Sequence, residues 1–311
     1  SGSPDLPAHI AALLPQLGQP SLVACLDSGC ATFERLWVGT SLRGLVGVVL
    51  TVQVLDEGVH SGNAGGVVPS SFRVLRSLLD RVEDADSGRL LLPELHAEVP
   101  PDRREQLVAT AAELGAGAAG GFPFVDGRAP LHHGDPAAQL LARWWEPSLA
   151  YVGIDGVPPI ATAGNVLRAT TSVKLSFRLP PTADPKAAAT AIEQVLTRDP
   201  PHGARVRADV ADIGAGWNAP AFEPWLTTAL DEASTSVWGT PARVMGEGGT
   251  IPFMAMLGER FPAAQFLVTG VLGPGSNAHG PNEFLHVPFA AGLTRAVAHV
   301  LDAHARRGAA P

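Results

Sequence analysis

The chain has little cysteine, two residues in 311, and no apolar run near the roughly 18 residues that mark a membrane-spanning helix. The second lack predicts no membrane span, and the first leaves no second pair for a structural zinc site. Positive charge is also the minority. With 22 Lys and Arg against 30 Asp and Glu, the net charge is −8 and no basic cluster forms. Phosphate binding needs a basic face, so a nucleic-acid partner is excluded. Charged residues of any sign reach only 17% against 46% hydrophobic, which excludes global disorder and allows a sizeable core. Cys25 and Cys30 lie five apart and could pair. With no signal peptide in view, they read as reduced thiols of a cytoplasmic protein.

What is present is a chain long enough for two domains. The N-terminal stretch reads as a helix with Pro4 at an early position and Ile10, Leu13, Leu14 and Leu17 at helical spacing. Apolar runs at 22–26, 33–38, 45–55, 149–154, 171–179, 204–213, 243–245 and 265–271 read as strands. Helical patterns are expected at 69–82, 100–114, 136–145, 184–197, 223–237, 251–257 and 288–305. Asp184 stands as a helix cap. The middle of the chain gives a four-stranded sheet with two principal helices on one face, and the flanks give α/β layering. The expected fold is therefore an α/β domain, residues 1–43 and 214–311, interrupted by an inserted α+β domain, residues 44–213.

Four segments carry the chemistry. They are Cys25-Leu-Asp-Ser28, Gly58-Val-His-Ser-Gly-Asn-Ala-Gly-Gly66, Gly246-Glu-Gly-Gly-Thr-Ile-Pro-Phe253 and the turn-rich stretch from Gly270 to Leu285 that contains His279. In that order they resemble the carnosinase and aminoacylase family of dinuclear zinc peptidases, which also includes succinyl-diaminopimelate desuccinylase. The resemblance runs from the first residues to the last. It implies a catalytic zinc-peptidase-like domain, incomplete at its N terminus, with an inserted lid and dimerisation domain.

The family's two zinc ions are held by a His-x-Asp pair, the second member of a Glu-Glu pair, a later Asp and a late His, and the first member of the Glu-Glu pair is the general base. By position, Asp27 matches the later Asp and His279 the late His. The Glu-Glu pair normally precedes a sequence like Ser1-Gly2-Ser3, so both pairs are expected upstream of residue 1, and the 311 residues are read as holding neither. Asp27 and His279 alone are too few donors for a closed zinc site. Three explanations stand open: a shortened chain, a natural variant that binds or assembles instead of catalysing, and a split enzyme completed by a separate N-terminal chain.

The resemblance assigns His60 to oxyanion stabilisation across a dimer, a role that suits a donor aimed at developing charge. It assigns Glu247 to the substrate's amino group, with Gly248 and Gly249 allowing close backbone approach. Many relatives carry arginine immediately before that glutamate, where this chain has Gly246. Arg178 matches the residue that grips the substrate's terminal carboxylate, work for a planar bidentate fork. Asn165 projects toward the partner's site. His132, His133 and His286 read as surface histidines, and Glu98, Asp102, Glu105 and the nearby arginines as a solvated helix face. Trp144-Trp145 reads as core or an insert contact, with a partner surface as the open alternative. The implied function of the complete protein is zinc-dependent hydrolysis of an amide bond in a dipeptide or an N-acyl amino acid. The implied assembly is a homodimer through residues 44–213.

Overall fold

In the computed structural model, residues 5–122, 124–125 and 132–307 are described. The expectations for Ser1-Gly2-Ser3 and Pro4 lie outside them. In chain order the first elements are α1 (Leu6–Leu17), β1 (Leu22–Cys25), β2 (Trp37–Leu42), β3 (Gly44–Gln53), β4 (Val59–His60), α2 (Ser61–Ala64), α3 (Ser71–Leu79) and α4 (Pro101–Leu114). There follow α5 (Pro136–Trp144), β5 (Ser148–Asp155), β6 (Val166–Leu167), β7 (Thr170–Leu179), α6 (Pro185–Thr197), β8 (Arg205–Gly214) and β9 (Trp217–Asn218). The last are α7 (Pro224–Trp238), β10 (Arg243–Glu247), α8 (Pro252–Arg260), β11 (Gln265–Val268) and α9 (Val287–Arg307).

Two compact units result. One comprises residues 1–42, 99–145 and 217–311, and the other residues 43–98 and 146–216. The expected boundary is corrected at 99–145, which belongs with the flanking unit and not with the insert. The reason is visible in α4. Arg103, expected on a solvated face, is only 6% exposed. Its Nε donates to Asn218 Oδ1 at 2.8 Å and its Nη1 to Gln106 Oε1 at 3.1 Å, while Nη2 reaches the Ala219 carbonyl. A guanidinium taken out of water needs such partners, and here Asn218 and Ala219 lie on and directly after β9 of the same unit.

In the first unit β1 and β11 run parallel, with Leu22 opposite Gln265 and Cys25 opposite Val268. β10 and β2 are also parallel, and β9 adds to β2 antiparallel. The side chains of Trp37, Leu226, Leu230, Phe289, Leu293 and Val300 form part of one core under these strands. The strand expected at 33–38 is shifted to Trp37–Leu42, because Phe33 packs instead into a ring cluster. Phe33 stacks on His286 at 4.2 Å and meets Phe289 edge-on at 5.4 Å. His286 is thus a partly buried packing residue that accepts from the Phe289 N–H at 3.1 Å, which corrects its reading as a surface histidine. Trp144 and Trp145 are both buried, 5% and 3% exposed.

The second unit is a four-stranded antiparallel sheet in the order β5-β7-β3-β8. Alternation fixes its inner face, since successive side chains of a strand point to opposite sides. Val46, Val48, Leu50 and Val52 are all fully buried and lie opposite Phe177, Leu175, Val173 and Thr171. α3 and α6 cover that face through Val74, Leu75, Leu78, Ile192 and Leu196. α6 starts where Asp184 accepts from the N–H of Lys186 at 2.8 Å, directly before Pro185, a favoured entry to a helix.

Candidate active site

The site in the first unit is built at strand ends. β1 stops at Cys25, and the chain continues through exposed Asp27 to buried Ser28. This segment is held against the chain that leaves β11. The Thr269 N–H donates to the Cys25 carbonyl at 2.9 Å and the Cys30 N–H to the Leu272 carbonyl at 2.8 Å. Gly29 and Leu272 form a parallel bridge. Ligand sites of α/β sheets favour the carboxyl ends of their strands, and Asp27 occupies such a position.

Glu247 is the last residue of β10. Its Oε1 accepts a short hydrogen bond from Ser28 Oγ, and its carboxylate also accepts from the Gly29 N–H. Burial pushes the Glu247 carboxyl above its ordinary range, while the Ser28 hydroxyl, the Gly29 N–H and the Arg143 charge act the other way. Burial dominates. After Glu247 come Gly248, exposed Gly249 and Thr250, and α8 begins at Pro252. Gly249 has no heavy atom within 4 Å of where a Cβ would stand, so its backbone is open to a ligand.

The cysteines flank this segment as free, buried thiols. Burial first, then the charges of Glu247 and Glu34, pushes Cys30 up to about 12. Cys25 is raised as well, by burial and by Asp27 and Glu247. They are packing residues rather than nucleophiles.

His279 lies in the loop beyond β11, exposed, with φ at 61° and its N–H donated to Glu283 Oε2 at 3.1 Å. Among the described residues no group of three or more His, Cys, Asp or Glu is gathered that could hold a metal ion. The donors present therefore do not by themselves fit a zinc ion, which takes three or four protein ligands. The reading of the chain as free of a His-x-Asp spacing is corrected, because His133-Gly134-Asp135 has it. Asp135 is spent as the cap of α5, accepting from the Ala138 N–H at 2.8 Å.

In the second unit the structure brings His60 and Asn165 together. β4 pairs with β6, His60 opposite Val166, and the Ser61 N–H donates to the Asn165 carbonyl at 2.9 Å. His60 is exposed and its Nδ1 accepts from the Gly62 N–H at 3.1 Å. A neutral ring in that arrangement carries its proton on Nε2, which leaves a donor pointing away from the turn. Arg178 sits on β7 opposite Leu45 and Ser148. It is partly buried, and burial lowers its pKa. At the same sheet end the buried Arg43 donates to the Glu146 carbonyl at 3.1 Å and to Ser148 Oγ at 3.2 Å.

Three features of these surroundings escaped sequence reasoning: Ser28 as the partner of Glu247, Arg143 as a charge acting on it, and Trp144 as the side chain that fills the space beside Gly246. A Cβ at Gly246 would lie 2.6 Å from the Trp144 Cβ and 3.0 Å from Ser41 Oγ. The glycine was the available signal, since in a strand it often marks the close approach of another chain segment.

The model of the peptidase dimerisation domain matches residues 40–204, more than half of the chain. A cysteinylglycine-S-conjugate dipeptidase of Corynebacterium striatum is 27% identical over 292 residues, 89% of this chain and 60% of that protein. The Cys-Gly metallodipeptidase of Saccharomyces cerevisiae is 23% identical over 88% of this chain and 58% of its own length. The chain thus spans about 60% of the length of these curated relatives. Among solved structures, the yeast dipeptidase Dug1p has a TM-score of 0.82 at 22% identity, covering 98% of this chain and 64% of its own. Human carnosine dipeptidase 1 has a TM-score of 0.74 at 18% identity, covering 97% and 64%. At these identities the likeness is one of fold.

Proposed function

The chain belongs to the M20 peptidase family, whose dimerisation domain it carries, and from that premise we propose that it supplies the substrate-reading part of a metal-dependent dipeptidase. The relatives named above are dipeptidases, and a dipeptide is the substrate class favoured here over an N-acyl amino acid. The observation that carries this reading is Glu247. A carboxylate at the end of β10, held by Ser28 Oγ and the Gly29 N–H and followed by an open glycine backbone, suits a free amino group.

In this reading Glu247 pairs with the substrate's ammonium while Gly248 and Gly249 admit the peptide backbone. Arg178, on the second unit, has the planar fork that suits a carboxylate. His60, with its Nε2 proton free, donates to the developing oxyanion in the partner subunit's site, and Asn165 beside it supports the same role. Asp27 and His279 would each supply one ligand to a two-zinc centre, too few among the described residues to close it.

The dimer forms through the second unit. Its edge strand β5 exposes Tyr151, Val152 and Ile154, and a groove of about 480 Å³ runs between that strand and Phe72, Arg76 and Leu79 of α3. An exposed apolar edge strand is a template for pairing with another chain, and a second copy offers the same patch in return.

The test is titration calorimetry of the chain with a neutral dipeptide. Binding weakened about tenfold in Glu247→Gln supports the reading, a size expected for a hydrogen bond to a charged group. Equal binding by the variant, or none by the parent chain, sinks it.

A further inference from the structure

Among the described residues β5 is an outer strand of the four-stranded sheet, paired on one side with β7. Such edges are commonly protected by lysine, proline or inward-facing charges. β5 reads Ser148-Leu-Ala-Tyr-Val-Gly-Ile-Asp155, with no lysine or proline and a single charge at its last position. Tyr151, Val152 and Ile154 are all about half exposed. The Tyr151 hydroxyl donates to Glu83 Oε2 at 2.6 Å, so covering its ring strands no polar atom. Both β5 and α3 lie within residues 40–204, the span that matches the dimerisation domain. The occupant that fits this edge is a second copy.

The ladder to β7 restricts how that copy sits. Residues opposite one another on neighbouring strands send their side chains to the same face. Tyr151 is opposite Leu175 and Ile154 opposite Val173, both core residues of the face that α3 covers. Tyr151 and Ile154 therefore share the α3 face. Ala150 and Asp155, opposite Ser176 and Ser172, share the other. Strict alternation would put residues 151 and 154 on opposite faces. A β-bulge between Tyr151 and Gly153 supplies the extra residue that brings them to one side.

A two-fold axis perpendicular to the sheet makes the two β5 strands antiparallel and keeps both α3 helices on one side. Paired residues must again match face to face. Along the strand this is met when one bulge lies against the other, so that Tyr151 faces the partner's Ile154 and Ala150 the partner's Asp155. We propose that two copies join through β5 in this register, with the axis between Val152 and Gly153. The proposal rests on the reading above that the dimer forms through the second unit, and it assigns the bulge the task of fixing its register. It also sets the sheets end to end in reverse. Ser148 and Arg178 stand at one end of the sheet, while Val54 donates to the Ala169 carbonyl at the other, just before β4 and β6 carry His60 and Asn165 away. The end that bears the partner's His60 then comes alongside the end that bears Arg178.

The experiment is oxidative cross-linking of Tyr151→Cys, Ile154→Cys and the double variant, read on a non-reducing gel. In the proposed register each of these residues lies about 10 Å along the strands from its own counterpart, three steps of roughly 3.4 Å. That exceeds the roughly 7 Å Cα separation a disulfide can span. The double variant is expected to form a covalent dimer, and each single variant to stay uncrosslinked like the parent chain, whose Cys25 and Cys30 are buried. An unchanged far-ultraviolet spectrum establishes that the variants fold, and light scattering reports their assembly. A double variant that is dimeric but uncrosslinked overturns the register and leaves the dimer standing. So does a single variant that cross-links by itself. A parent chain that is monomeric in light scattering overturns both the register and the dimer.

Discussion

Ser28 Oγ donates to Glu247 Oε1 across 219 positions of sequence, and this bond joins the end of β1 to the end of β10. It holds a carboxylate in place next to the turn that presents Asp27. It also opposes the burial that would otherwise raise the Glu247 pKa further.

The sign of that opposition sets a pH dependence. Glu247 has its folded pKa raised, so its contribution to stability is full below the unfolded carboxylate value and is lost as pH rises through the folded value. Ammonium binding runs the other way, because it needs the ionised form. Affinity for a neutral dipeptide is expected to rise with pH up to the folded value. Ser28→Ala removes one group that lowers the pKa, so the midpoint should move to higher pH. Calorimetry across a pH series checks this, and a midpoint that stays put or moves down contradicts it.

Gly246→Ala should destabilise the first unit. Its new Cβ would fall 2.6 Å from the Trp144 Cβ, and both backbone segments would have to separate. Overpacking of this kind costs about 1–3 kcal/mol, read as a lower midpoint in urea denaturation.

Arg103 ties α4 to β9. Arg103→Ala leaves Asn218 Oδ1 and the Ala219 carbonyl without this donor in a buried setting, at an expected cost of about 2–4 kcal/mol. The same denaturation experiment measures it. Arg103→Lys reaches fewer of these acceptors and should fall between the two.

Cys30 makes the chain sensitive to alkali. Its thiol is pushed from 9.0 up to about 12, so the stability it contributes is full below pH 9 and is lost as pH rises through the folded value. Between pH 8.5 and 10.5 the parent chain is expected to lose about 2 kcal/mol more than Cys30→Ala. Urea unfolding at the two pH values isolates the difference from other titrating groups.

The edge strand gives the assembly test. Val152 is 56% exposed and Ile154 52%, so a lysine at either position should not disturb the fold. Val152→Lys with Ile154→Lys is expected to convert a dimer to a monomer in light scattering while the far-ultraviolet spectrum is unchanged. A dimer that survives both places the interface elsewhere.

Much of the second unit could be read from the sequence because its signals are local. The Val46-Gly-Val-Val-Leu-Thr-Val52 stretch of β3 reads as a strand in any context, and Asp184-Pro185 announces a helix within three residues. The glycine-rich turn with His60 and the Gly246-Glu247-Gly248-Gly249 run could also be picked out, because only unusual backbone demands that much glycine.

Tertiary structure decided what local signals could not. The periodicity of α4 and α5 announces two helices but not the unit they join, since that depends on Arg103 meeting Asn218 and Trp144 meeting Gly246. Phe33 reads as a strand residue until His286 and Phe289, more than 250 positions away, supply the rings it packs against. His133-Gly134-Asp135 has the spacing of a metal-binding pair and is instead a helix cap, because Asp135 meets the Ala138 N–H first. The sequence by itself determined the elements, the glycine turns and the residue types able to read a small peptide. Which carboxylate is held by Ser28 was decided only when distant strand ends met. Hydrogen bonds and charges act over a few ångströms of space, whatever the separation along the chain.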